Sequence, residues 1–164
     1  MMASLLGILK IGAKYIPLDP TLPSDRLGYM LDLAEVETIL YESEDLREQK
    51  AVKGYRYVNT AEAHGHSEVL TLEWDIESET AAYVMFTSGT TGQPKGIKVC
   101  HQNILKLVHE TGPIAVDSED RVLQWSNYAF DGCIYEMFSS LLKGATLHLI
   151  RESEAPHALE LSRI

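Results

Sequence analysis

The segment Thr87-Ser88-Gly89-Thr90-Thr91-Gly92-Gln93-Pro94-Lys95-Gly96 constrains this chain more than any other. It follows an apolar run, Ala81-Ala82-Tyr83-Val84-Met85-Phe86, that reads as a buried strand, and it precedes a short β-type stretch, Ile97-Lys98-Val99. Pro94 blocks a helix at that point, so the segment is a loop between two strands. Three glycines, four hydroxyls and one lysine suit such a loop to wrapping an anionic group. Glycine lets the backbone approach closely, hydroxyls and amides donate to oxygens, and the lysine brings a full positive charge. Gly, Thr and Ser also gather in surface loops that bind nothing, and the residues alone leave both readings open. Two common nucleotide signatures are excluded. Gly89 and Gly92 are too close for Gly-x-x-x-x-Gly-Lys-Ser/Thr, and the pattern is not Gly-x-Gly-x-x-Gly.

Around the loop, strand-like and helical stretches alternate. Ala3 to Ile11 reads as a helix closed by Gly12, and Tyr15 to Pro20 as a short edge strand, because two prolines exclude a central one. Ser24 is an expected N-cap for a helix carrying Leu27, Met30, Leu31 and Ala34. A strand at Glu37–Tyr41 and a helix from Ser43 to about Val52 follow, with weak strands at Tyr55–Val58 and Val69–Leu72. Beyond the loop come a helix from His101 to about Thr111, a strand from Arg121 to Trp125, a helix from Asp131 to Leu142 capped by Gly144, and a strand from Ala145 to Ile150. Strands alternating with helices of this length predict an α/β fold with a mostly parallel sheet flanked by helices. One domain is expected over 1–150, with 151–164 a charged, patternless tail.

With 164 residues, 45% of them hydrophobic, the chain can bury a real core. A formal charge of −10 leaves no basic stripe for nucleic acid. Cys100 and Cys133 have no metal-ligand spacing and point to a reducing compartment, and Cys133 reads as a packed thiol because no base is recognisable near it. The apolar start has its lysines, Lys10 and Lys14, after the run rather than before it, which does not fit a signal peptide, and no stretch reaches the roughly 20 apolar residues of a membrane span. A cytoplasmic protein with no membrane partner is expected.

A second segment, Asn127-Tyr128-Ala129-Phe130-Asp131-Gly132-Cys133-Ile134-Tyr135-Glu136-Met137-Phe138, brings a carboxylate to the start of a helix. An Asp in that place commonly serves as an N-cap. It can equally hold a cation through charge-assisted hydrogen bonds.

The string Tyr83-x-x-Phe86-Thr87-Ser88-Gly89-Thr90-Thr91-Gly92-x-Pro94-Lys95-Gly96 resembles the phosphate loop of the adenylate-forming, or AMP-binding, superfamily. The stretch Leu9 to Pro20, with Pro23-x-x-Arg26-Leu27-x-Tyr29-Met30-Leu31, is similar to an early core motif of the adenylation domains of nonribosomal peptide synthetases. The resemblance covers about Leu5 to Ile150. It implies the partial N-terminal subdomain of the adenylate-forming fold, and ATP-dependent activation of an amino acid to its aminoacyl-adenylate with release of pyrophosphate. By this resemblance Thr87, Ser88, Gly89, Thr90, Thr91, Gly92 and Lys95 hold the ATP phosphates. Asp131 holds the α-ammonium of the substrate, and Gly132 and Tyr135 line its side-chain pocket. Gly132 stands where Ala is frequent in the family and Tyr135 where Trp is frequent.

The resemblance also implies Mg2+ with ATP, its ligands lying outside this chain, and a phosphopantetheine-bearing carrier domain as acceptor. The family's adenine- and magnesium-binding stretch, its ribose-holding aspartate and its C-terminal catalytic lysine have no counterpart here. The chain alone is therefore expected to contribute no catalytic residue and not to adenylate at a useful rate. The alternatives are an acyl- or aryl-CoA ligase of the same superfamily, which has no ammonium for Asp131 to bind, and a non-catalytic remnant serving as an interaction module.

Overall fold

Strands and helices are interspersed in the computed structural model, which describes residues 1–44, 47–48, 52–63, 75–88, 93–109 and 115–150. A first unit, Met1–Asn103, contains α1 (Met2–Lys10), α2 (Ser24–Leu33), β1 (Thr38–Tyr41), β2 (Arg56–Asn59), a 3-10 turn (Thr60–Ala63), β3 (Ala81–Ser88) and β4 (Pro94–Cys100), and ends within α3 (His101–His109). A second unit, Ile104–Ile164, takes up the rest of α3 and adds β5 (Arg121–Gln124), α4 (Asp131–Lys143) and β6 (Thr146–Leu149). The α/β class read from the sequence holds. No helix among the described residues is long and apolar enough to cross a membrane.

Among the described residues the strands form three pairs, β1 with β2 and β5 with β6 in parallel, and β3 with β4 antiparallel. Chain length between partners explains the difference. The short connection 89–93 can only fold β4 back along β3, whereas parallel partners need a crossover, which α4 supplies between β5 and β6. The expected edge strand at Tyr15–Pro20 is reduced to a single parallel bridge, Tyr15 with Tyr83. Tyr15 N–H donates to the Ala82 carbonyl at 3.1 Å and its carbonyl accepts from Val84 N–H at 3.0 Å. Pro17 and Pro20 have no N–H with which to continue the ladder. The two rings stack with centroids 5.5 Å apart.

Helix α2 buries Leu27, Met30, Leu31 and Ala34 as its spacing requires. Its N-cap is Pro23 rather than Ser24, which occupies the first helical position and makes no capping bond. Pro23 fits there because its backbone is extended (φ −58°, ψ 143°) and a cap residue needs no N–H of its own. Helix α1 ends at Gly12 (φ +73°), with Gly12 N–H donating to Leu9 and Ala13 N–H to Ile8, so glycine supplies the left-handed turn. The same closure after α2 uses Glu35 at φ +53°, with Val36 N–H donating to the Leu31 carbonyl. For the helix expected from Ser43, Arg47 N–H donates to the Ser43 carbonyl, and residues 45–46 and 49–51 lie outside the described residues. The expected strand at 69–72 and the tail 151–164 lie outside them as well.

In the second unit α4 packs against β5 and β6 and buries Cys133, Ile134, Met137 and Phe138. Ser139 and Ser140 are buried too, and their hydroxyls are satisfied by donating to the carbonyls of Tyr135 and Glu136 one turn earlier. The helix closes at Gly144 (φ +76°), as the sequence indicated.

Two predictions follow from these contacts. Glu35 sits in a left-handed conformation that a side chain resists, so Glu35→Gly is expected to stabilise the chain by about 1 kcal/mol, read from the midpoint of urea unfolding. A lower midpoint would contradict it. Burial, with the Glu136 carboxylate adding to it, raises the Cys133 thiol from 9.0 to about 11. The folded state therefore favours the protonated thiol. That contribution to stability is complete below about pH 9 and is lost as pH rises through about 11. A disulfide reagent at pH 8 should titrate Cys100 in the native chain and reach Cys133 only after denaturant is added.

Candidate functional site

The glycine-rich segment is more strand than its composition suggests. β3 continues through Thr87 and Ser88, and β4 begins at Pro94, a position proline tolerates as the first residue of a strand. Thr87 pairs with Lys95 and Ser88 with Pro94, so the hairpin ladder runs up to the loop itself. Directly opposite residues have Cβ atoms about 5 Å apart, and Thr87 and Lys95 share one face of the hairpin. Both are exposed, which leaves a hydroxyl and an ammonium side by side facing solvent. The same face carries the buried Tyr83 and Met85 further down the strand. Gly89, Thr90, Thr91 and Gly92 lie outside the described residues. Gly96 is in the strand opposite Phe86, where a Cβ would sit 3.1 Å from Val84 Cγ1 and 3.4 Å from the Phe86 ring. Its role is to admit those side chains, not to turn the backbone.

The far end of the hairpin is anchored. His101 N–H donates to the Thr80 carbonyl and Gln102 N–H to that of Ser78, both at 3.0 Å, and the Gln102 amide reaches Glu79 at 2.7 Å. Beside the loop end, Gln93 and Pro94 share a cleft of about 330 Å³ with Asp25, Arg26 and Tyr29 from the first turns of α2. The sequence assigned no chemistry to Arg26. Its helix spacing did not reveal that α2 lies beside the loop.

Asp131, Gly132 and Tyr135 lie together in the first turns of α4. Asp131 is not the N-cap of its helix. Phe130 is, with no side-chain capping bond, and Asp131 takes the first helical position, where the helix dipole favours a negative charge. Asp131 is exposed, and Gly132 and Tyr135 are half-buried. Asp131 and Tyr135 are four residues apart, so they share one face of the helix.

Glu136 fixes the approach to this turn. Its carboxylate accepts from Trp125 N–H at 3.1 Å, from Ser126 N–H at 3.1 Å and from the Ser126 hydroxyl at 2.7 Å. Gln124 donates to the Ser126 carbonyl, and Asn127 Oδ1 accepts from Ala129 N–H at 2.9 Å. Phe130 N–H closes on the Asn127 carbonyl at 2.9 Å. The chain between β5 and α4 is thus tied down residue by residue before it delivers Asp131. Trp125 and Phe130 present exposed rings along it. Sequence reasoning missed Ser126 and Glu136. The only available signal was Gly132, since a glycine inside a helix marks a place where another group comes close.

Thr87, Lys95 and Ser88 belong to the first unit, and Asp131, Gly132 and Tyr135 to the second. Each set is a small constellation in its own right, one of two hydroxyls and an ammonium and one around a carboxylate. Among the described residues no three His, Cys, Asp or Glu side chains are grouped so as to hold a metal ion.

Gramicidin S synthase 2 of Brevibacillus brevis is 39% identical to the chain over 153 residues, covering 93% of this chain and 3% of that protein. Surfactin synthase subunit 1 of Bacillus subtilis (strain 168) is 36% identical over 166 residues, covering 100% of this chain and 5% of the relative. The chain therefore spans a small part of the curated relatives it matches. Among solved structures, the N-terminal subdomain of Klebsiella oxytoca NpsA shares the fold, with a TM-score of 0.80 at 22% identity over 97% of this chain and 40% of that one. The nonribosomal peptide synthetase FmoA3 in its AMPPNP-bound form gives a TM-score of 0.81 at 28% identity over 92% of this chain and 16% of its own length. Residues 1–163 match the family described as AMP-binding enzyme. By motif, fold and relatives together, the chain belongs to the AMP-binding enzyme family, as a partial N-terminal subdomain of the kind found in nonribosomal peptide synthetases.

Proposed function

We propose that the chain supplies two binding elements of an amino-acid adenylation site, in a reaction that joins a substrate carboxylate to the α-phosphate of ATP and releases pyrophosphate. The observation that carries the substrate class is Asp131. Its carboxylate stands at the start of α4 without capping that helix, and no hydrogen bond or ion pair among the described residues uses it. A carboxylate so placed is suited to an α-ammonium. Tyr135, one turn on, and Gly132 line the pocket for the amino-acid side chain.

The phosphate side is read from the hairpin. Thr87 and Lys95, paired across the ladder, and Ser88 at its end hold the outer phosphates together with Gly89, Thr90, Thr91 and Gly92. A hydroxyl and an ammonium on one exposed face are chemically suited to a polyanion. Mg2+ bound with ATP would neutralise part of the triphosphate charge. The acceptor of the adenylate is the phosphopantetheine thiol of a carrier domain. Support for that partner comes from a solved relative described as a synthetase protein containing adenylation and PCP domains, 25% identical with a TM-score of 0.75. The use of ATP and a reduced thiol acceptor agrees with the cytoplasm as the working compartment.

The test is amino-acid-dependent exchange of labelled pyrophosphate into ATP, in a domain completed to full length around this chain. At least one amino acid is expected to support exchange. Asp131→Ala should lower kcat/KM for that amino acid by 100-fold or more while leaving the KM for ATP within about twofold. Lys95→Ala should do the reverse, raising the KM for ATP about tenfold. Tolerance of Asp131→Ala would move the assignment to an acyl- or aryl-CoA ligase, and no exchange with any amino acid would remove the substrate class altogether.

A further inference from the structure

Glycine is a poor helix former, and nothing in the backbone of α4 calls for one at position 132. What excludes a side chain there is Ser126. A Cβ on residue 132 would lie 2.6 Å from Ser126 Oγ and 3.2 Å from Ser126 Cβ. Ser126 is not free to swing aside. Its hydroxyl donates to Glu136 at 2.7 Å, its N–H is held by the same carboxylate, and its carbonyl accepts from Gln124.

We propose that Ser126 is a specificity-determining residue of the amino-acid site. Pinned by Glu136, its side chain fills the volume into which a side chain at 132 would project. The wall of the pocket at that point is therefore set from the β5–α4 connection and not from the helix. The Ser126 proton is committed to Glu136, so the residue selects by volume rather than by offering a donor. This inference rests on the reading of Gly132 as a pocket residue in an amino-acid adenylation site. Glu136 acts through Ser126 and is a positioning residue only.

The experiment compares Ser126→Gly, Ser126→Thr, Gly132→Ala and the Ser126→Gly/Gly132→Ala pair. Two readouts are used: thermal melts of the 164-residue chain, and pyrophosphate exchange in the domain completed to full length. Gly132→Ala is expected to lower the melting temperature, and Ser126→Gly in the same chain to restore it. In exchange, Ser126→Gly should shift the kcat/KM ratio between two amino acids differing by one methylene about tenfold toward the larger one. Ser126→Thr should shift it the other way, and the double variant should return it to the wild-type value. A residue that merely supports the fold would lower exchange for all amino acids in proportion. If Ser126→Gly does not fold, Ser126→Thr alone decides. An unchanged ratio in a wild-type-active domain overturns the role of Ser126 and leaves the adenylation assignment standing. Absence of exchange in the wild type overturns both.

Discussion

The first unit is organised by β3, which hydrogen-bonds on both of its edges. On one side it carries the antiparallel ladder to β4, on the other the bridge to Tyr15. A strand so enclosed must be apolar and small where partners crowd it, and Ala82 is fully buried there, beside the stacked rings of Tyr15 and Tyr83. Because the connection 89–93 is short, β4 has no choice but to return along β3. That return places Lys95 opposite Thr87. The relation between the ammonium and the hydroxyl is thus a consequence of strand register, and a one-residue slip would send them to opposite faces.

The second unit solves a similar problem by a different device. An α-helix leaves its first amides without intrahelical partners, and a side-chain cap is the usual remedy. Here Phe130 occupies the cap without one, and the turn is held instead by Glu136, reaching back from within the helix to Trp125 and Ser126. Asp131, at the first helical position rather than the cap, takes no part in closing that turn. The requirement for glycine at 132 comes with the same arrangement, since Glu136 holds Ser126 against that position.

What was legible in the sequence follows from what is local. Helical periodicity gave α2, and Gly12 and Gly144 marked helix ends, because each depends on neighbours within a turn. The loop string and the Phe130-Asp131 pair were legible as motifs for the same reason. The reduction of Tyr15–Pro20 to one bridge depends on which strands meet, which periodicity does not encode. Glu136 and Ser126 are ten residues apart and join a loop to a helix, so no spacing rule connects them. Ser24 was read as a cap by residue type, yet Pro23 already supplied an extended backbone at that place.

Both charged groups proposed above to meet ligands, Lys95 and Asp131, are exposed. An ion pair made by an exposed group is worth only about 0–1 kcal/mol, because water screens it and a flexible side chain must be ordered. Neither residue can then recognise its ligand by charge alone. Several weak contacts must act together, and water must be displaced as the ligand enters, since the same pair strengthens several-fold when the effective dielectric falls from 80 toward about 20. A rigid surround makes that displacement productive, because donors that are already in place need no ordering when the ligand arrives. On the proposed reading of Asp131, the hydrogen bonds packed around Ser126, Asn127 and Phe130 would serve that end, because they fix the backbone that carries Asp131.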